Sequence, residues 1–133
     1  MPMSRISLLK GKSPEYLSAL SNSLHRAMVE AFNVPEKDRF QAIHQHEPYE
    51  LVFDRDYESP AGPRSDDYVL INITTGKPRS TDMKQAFYRR LVELLAEAPG
   101  LRPQDVMVVL SVSQGDDWSF SGGEPAASLW RPA

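Results

Sequence analysis

Val69-Leu70-Ile71-Asn72-Ile73-Thr74-Thr75-Gly76-Lys77 repeats a phrase that stands near the start of the chain, Arg5-Ile6-Ser7-Leu8-Leu9-Lys10-Gly11-Lys12. Each copy reads as a strand running into a Gly-Lys turn. A helical stretch follows each, ending near Phe32 in the first copy and Ala98 in the second. Each copy then closes on an apolar segment introduced by aspartate: Asp38-Arg39-Phe40-Gln41-Ala42-Ile43-His44 and Asp105-Val106-Met107-Val108-Val109-Leu110-Ser111-Val112. The same strand, turn, helix and strand used twice predicts a tandem β-α-β duplication.

The helices carry the strongest local patterns. Leu17, Leu20, Leu24, Ala27, Met28, Ala31 and Phe32 recur at three- and four-residue spacing. Ser13 before Pro14 supplies an N-cap and a proline suited to the first helical position. Met83, Phe87, Leu91, Leu94, Leu95 and Ala98 repeat the pattern, with Ser80 as cap and Pro99-Gly100 as the stop. Both helices are amphipathic, so both should lie on a sheet.

Two strands joined by one helix form a parallel pair with a right-handed crossover. Two such units side by side about a pseudo-twofold axis give an α/β (α+β) fold, a four-stranded mixed sheet with both helices on one face. The other face is left bare, although Val69 to Ile73 and Val106 to Val112 are apolar at successive positions, as in strands buried on both faces. A closed oligomer in which open faces meet supplies the second cover, and a three-fold ring is the economical form.

The 133 residues, 41% hydrophobic and 25% charged, suit one domain that buries a substantial core. Its expected parts are a first unit over 2–46, a connecting loop or arm over 47–67, a second unit over 68–112 and a tail over 113–133. The connector carries Pro48, Pro60, Gly62 and Pro63, with Tyr49 to Phe53 able to form a short extra strand. The tail ends in Leu129-Trp130, an aromatic end suited to docking on a neighbour. Fifteen Lys and Arg against 18 Asp and Glu, interspersed, argue against nucleic-acid or anionic-membrane partners recognised by bulk charge. The absence of cysteine excludes disulfides, thiolate nucleophiles and cysteine metal sites. With no membrane-spanning apolar run and no signal-like start, the expected location is cytoplasmic.

The sharpest chemical candidate is Pro2. Removal of Met1 would leave a secondary amine at the end of a strand, a base or nucleophile when neutral and a cationic acid when protonated. The Gly76-Lys77-Pro78-Arg79 loop adds two cations, of which arginine is the better carboxylate receptor because its planar fork binds bidentately. A solvated loop before the helix is the plainer account of the same two residues.

Taken together, Pro2, the two Gly-Lys turns, the helix lengths and Trp118 with Phe120 make the chain resemble the tautomerase superfamily, whose members share an amino-terminal catalytic proline and a duplicated β-α-β chain. Val34-Pro35-Glu36-Lys37-Asp38-Arg39-Phe40, His44-Gln45-His46 and Asp116-Asp117-Trp118-Ser119-Phe120 look most like the malonate semialdehyde decarboxylase group. That resemblance implies roles: Pro2 as catalytic amine, Asp38 beside it orienting substrate or water, Arg79 binding the substrate carboxylate, and Trp118 and Phe120 as an aromatic wall. A second carboxylate-binding arginine of the group falls on Lys77, which departs from the pattern and lacks the bidentate fork. Lys12 likewise stands where related tautomerases often carry arginine.

Plainer readings stand beside these. Asp38 has a counterpart in Asp105, which suits a strand-start role, and Trp118 and Phe120 at period-two spacing also suit packing. His44 and His46 share a strand face but lack a third ligand nearby, so hydrogen-bonded structural histidines are expected and no metal. Tyr88-Arg89-Arg90 reads as a solvated or subunit-contacting helix face. The implied activity is a cofactor-free decarboxylation of a small oxo-carboxylate in a homotrimer. The alternatives are a keto-enol tautomerase, a hydratase of an unsaturated acid, or a trimeric binding protein without catalysis if Met1 stays in place.

Overall fold

The structure, a computed structural model, describes residues 1–126. The proposed docking of Trp130 lies outside the described residues. The elements are β1 (Pro2–Leu9), α1 (Pro14–Phe32), β2 (Gln41–His46), β3 (Val69–Thr75), α2 (Thr81–Glu97) and β4 (Val106–Val112), with short 3-10 turns at Pro103–Asp105 and Gly115–Asp117.

The strands form one sheet in the order β2-β1-β3-β4. β1 pairs with β2 and β3 with β4 in parallel, while the central strands β1 and β3 are antiparallel. Within each parallel pair the register separation along the chain is the same, from Ser4 to Gln41 and from Val69 to Val106. The duplication is therefore present in hydrogen-bond register as well as in composition.

Both helices start as their sequences dictate. Ser13 Oγ accepts from the Tyr16 amide at 3.1 Å and Ser80 Oγ from the Met83 amide at 3.2 Å. α1 stops because Asn33 takes a left-handed conformation, at φ 55°, and returns its N–H to the Met28 carbonyl. The helices pack on each other over one sheet face, where Ile6, Leu8, Val69, Ile71 and Ile73 meet Leu20, Leu24, Phe32, Phe87, Leu91 and Leu95.

Side chains alternate across the sheet. Met3, Arg5, Ser7 and Leu9 of β1 and Leu70, Asn72 and Thr74 of β3 point away from the helices, as do Met107 and Val109 of β4, each 41% exposed. No element of the described chain forms a second layer over this face. His44 and His46 are also on it, at the level of Ser7 and Leu9, and among the described residues no group of three or more His, Cys, Asp or Glu is placed to hold a metal ion. Among those residues, too, no helix is long and apolar enough to cross a membrane.

Two details differ from the sequence reading. Tyr49 to Phe53 forms turn and loop instead of an extra strand, because Glu47 and Glu50 close a tight turn: the Glu50 amide donates to the Glu47 carbonyl and Glu50 Oε1 accepts from the Glu47 amide. Asp105 is also not the positional match of Asp38, since it immediately precedes β4 while Asp38 lies three residues before β2.

Asp105 has a structural task. It is 0% exposed and accepts from the amide and hydroxyl of Ser65, at 2.6 and 2.8 Å, which fastens the connector to the start of β4. Asp105→Ala leaves the Ser65 groups without that acceptor and is expected to lower unfolding free energy by about 1–3 kcal/mol. Urea denaturation followed by circular dichroism measures it, and an unchanged midpoint would refute the anchoring role.

Candidate active site

The start of β1 lies against the loop that follows β3. Pro2 is the register partner of Thr75, and the Gly76 amide donates to the Met1 carbonyl at 3.0 Å. This pairing places the chain's first nitrogen beside the Gly76-Lys77-Pro78-Arg79 turn. A cavity of about 450 Å³ opens there, lined by Met1, Asn33, Val34, Pro35, Asp38, Lys77, Arg79 and Phe120.

Asp38 reaches this cavity because the segment between α1 and β2 is tied down at several points. The Asp38 amide closes a turn on the Pro35 carbonyl at 3.0 Å. His25 Nε2 bonds the Glu36 carbonyl at 2.7 Å, and Arg39 Nη2 donates to Ser21 Oγ and Asn22 Oδ1 on α1. Arg39 thus faces the helix while Asp38 faces the terminus. Its Oδ2 lies 3.3 Å from the Met1 amine, in a pair whose side chains are only 9% and 13% exposed. The other carboxylate oxygen, Oδ1, is buried without a partner among the described residues.

Opposing forces act on the amine. Burial is the largest and pushes its pKa below the ordinary 8.0; the Asp38 charge and hydrogen bond pull it up, and Arg79 and Lys77 push it down. Because folding depresses this pKa, protonation of the amine costs stability, which rises with pH between the folded-state value and 8.0.

Arg79 Nη1 donates to the Lys77 carbonyl at 2.8 Å, and the guanidinium carbon sits 5.0 Å from the centroid of the Phe32 ring. Its Nε is buried and has no partner among the described residues, and burial lowers the guanidinium's pKa, though it stays charged at neutral pH. The Lys77 side chain lines the cavity from an exposed position. A guanidinium and a carboxylate lining one cavity suit a ligand bearing a carboxylate and a hydrogen-bond donor, or a carboxylate and a water.

The aromatic candidates divide. Phe120 lines the cavity, whereas Trp118 does not; Trp118 stacks on Phe120 at 5.6 Å and donates from Nε1 to Ser113 Oγ at 2.7 Å. Residues 118–120 are irregular, so their contact comes from this stacking and not from strand alternation. Phe40, 5.5 Å from Phe120, extends the row. Phe40, Phe32, Asn33, Val34 and Pro35 had no site role in the sequence reading. Helical periodicity assigned Phe32 to the core, and no motif signals that an exposed strand-start aromatic will meet a ring eighty residues on.

A family model described as "Tautomerase enzyme" matches residues 38–121, and a second of the same description matches residues 2–56. Two relatives from Bacillus subtilis (strain 168) are similar along nearly the whole chain. Probable tautomerase YusQ is 37% identical, covering 92% of this chain and 95% of its own, and Probable tautomerase YrdN is 34% identical, covering 93% and 94%. Among solved structures, a malonate semialdehyde decarboxylase described as the basis for decarboxylase and hydratase activities superposes with a TM-score of 0.87 at 34% identity, covering 96% of both chains. FG41 malonate semialdehyde decarboxylase inhibited by 3-bromopropiolate gives a TM-score of 0.86 at 30% identity, covering 96% of this chain and 95% of that one. A fused 4-OT symmetric trimer shares the fold, with a TM-score of 0.76 at 20% identity, covering 97% of this chain and 99% of that one.

In the chain that keeps Met1, the terminal amine is expected to titrate below 8.0, and Asp38→Asn to move it lower still, because both contributions of Asp38 raise it. The pH dependence of the terminal ¹⁵N resonance, or of reductive methylation at the amine, reads this directly. An upward shift in Asp38→Asn would contradict the ion pair.

Proposed function

The chain belongs to the tautomerase superfamily of enzymes, and we propose that it decarboxylates a small 3-oxo acid of the malonate semialdehyde type, with Pro2 as its catalytic amine and no organic or metal cofactor. The observation that carries this reading is the convergence of the chain's first nitrogen, Asp38, Lys77 and Arg79 on one cavity. In the working enzyme Met1 is removed, and the Met1 amine stands in for the secondary amine that Pro2 would present nearby.

Arg79 and Lys77 bind the substrate carboxylate, and Arg79 does so in the drier position. Protonated Pro2 donates to the aldehyde oxygen, and Asp38 favours the proton's residence on the amine. The bond from the carboxylate carbon to the α-carbon breaks, carbon dioxide leaves, and the electron pair forms an enol whose oxygen holds the proton from Pro2. Protonation of the enol carbon by solvent, and return of the enol proton to Pro2, gives the aldehyde. Phe120, supported by Trp118, Val34 and Pro35 make the walls apolar, which strengthens the charge interactions within.

One observation favours a second reading. Burial dominates the terminal amine and lowers its pKa, which favours a neutral base and hence a keto-enol tautomerase that moves a proton between carbon and oxygen. The two readings separate on substrate: malonate semialdehyde for the first, phenylenolpyruvate for the second. A homotrimer completes the proposal, supported by the uncovered apolar sheet face with Leu70, Met107 and Val109 and by the trimer of the similarly folded 4-OT. Sedimentation equilibrium at micromolar concentration tests that assembly.

Protein whose Met1 removal is verified by intact mass should turn over malonate semialdehyde, and Pro2→Ala should lower kcat/KM by at least about 100-fold. Lys77→Arg should lower KM by restoring a fork. Turnover that ignores Pro2→Ala would overturn the amine mechanism under either substrate.

A further inference from the structure

Resting on the reading of Arg79 as the carboxylate clamp, we propose that Phe32 is a positioning residue whose ring holds the Arg79 guanidinium in its ligand-ready orientation. Phe32 is the last residue of α1 and is 2% exposed. It is stacked on Phe87 of α2 with ring centroids 4.5 Å apart and planes 24° from parallel, so the two helices fix its ring. The guanidinium carbon of Arg79 lies 5.0 Å from that centroid.

Arg79 makes one hydrogen bond among the described residues, from Nη1 to the Lys77 carbonyl two residues away. That bond alone leaves the guanidinium plane free to turn, and a bidentate grip on a carboxylate depends on the plane. The ring supplies the second constraint, because a cation over an aromatic face is attracted to it and a flat guanidinium stacks on it. The guanidinium then stays at the cavity wall instead of turning away toward another protein acceptor. Phe32 thus links the helix core to the anion subsite without touching substrate.

Malonate, a dicarboxylate of the substrate's size, serves as the probe, titrated into the processed trimer or monomer as it exists in solution. Binding is followed by calorimetry and by the Arg79 Nε–H resonance, with thermal unfolding measured alongside. Phe32→Leu and the unbranched, more adaptable Phe32→Met are expected to weaken binding about tenfold and to collapse the Nε–H shift change. Leu24→Ala, a fully buried change on the same helix, is expected to lower Tm and leave the affinity unchanged. Folded Phe32 variants that bind malonate within about twofold of wild type, or an equal loss in Leu24→Ala, would overturn the inference. If Arg79→Ala binds malonate as wild type does, the clamp reading itself fails and the role of Phe32 falls with it.

Discussion

The antiparallel pairing of β1 with β3 is the constraint on which the rest depends. It joins the two repeats, supplies the central strands over which both helices pack, and brings the first residues of the chain to the turn that ends β3. The site is consequently built from both repeats. The amine, Asp38 and the Phe32 ring come from the first, while Lys77 and Arg79 come from the second. A slip of one residue in this pairing would exchange Ile6 and Leu8 with Arg5 and Ser7 between core and open face, so the hydrophobic pattern locks the register that places the amine.

The local electrostatics are balanced rather than extreme. Asp38 favours a charged amine, whereas burial and the two cations disfavour it. Such balance leaves the protonation state responsive to a bound anion: a carboxylate on Arg79 and Lys77 cancels two of the forces that depress the amine, which would make substrate itself promote the acid form. Binding and proton placement are then coupled through charge, with no conformational change required.

Much of this architecture is visible in the sequence because it rests on local and periodic signals. The Gly-Lys turns, the Ser13 and Ser80 caps and the helical spacing from Leu17 to Phe32 each report a nearby backbone need, and they lead to a four-stranded mixed sheet once the repeat is recognised. The cavity is less legible. Lys77 and Arg79 stood out as a cationic loop after a strand, but Asp38 entered only through a family resemblance, since no spacing rule joins residues forty positions apart across two repeats. Phe32 and Phe40 were hidden for a different reason: a ring at a helix end or strand start follows ordinary hydrophobic patterning, and only packing shows that one face meets a guanidinium or another site aromatic. The Tyr49 to Phe53 segment misled in the opposite direction, because its aromatic and β-branched residues suit a strand but the turn made by Glu47 and Glu50 prevails.

Asp38 and Asp105 are not positional matches, yet they make comparable contacts with different outcomes. Each carboxylate accepts from a nitrogen in the segment leading into the inner strand of its own repeat, the Met1 amine in one case and the Ser65 amide in the other. In the second repeat that nitrogen is an ordinary peptide group, chemically inert, and the contact only fastens a loop. In the first it is the amine of Met1. For anyone producing the protein, the consequence is practical: an affinity tag fused ahead of Met1 turns the nitrogen beside Asp38 into an amide and runs a peptide through the cavity that Met1 lines, so purification handles belong at the carboxyl end.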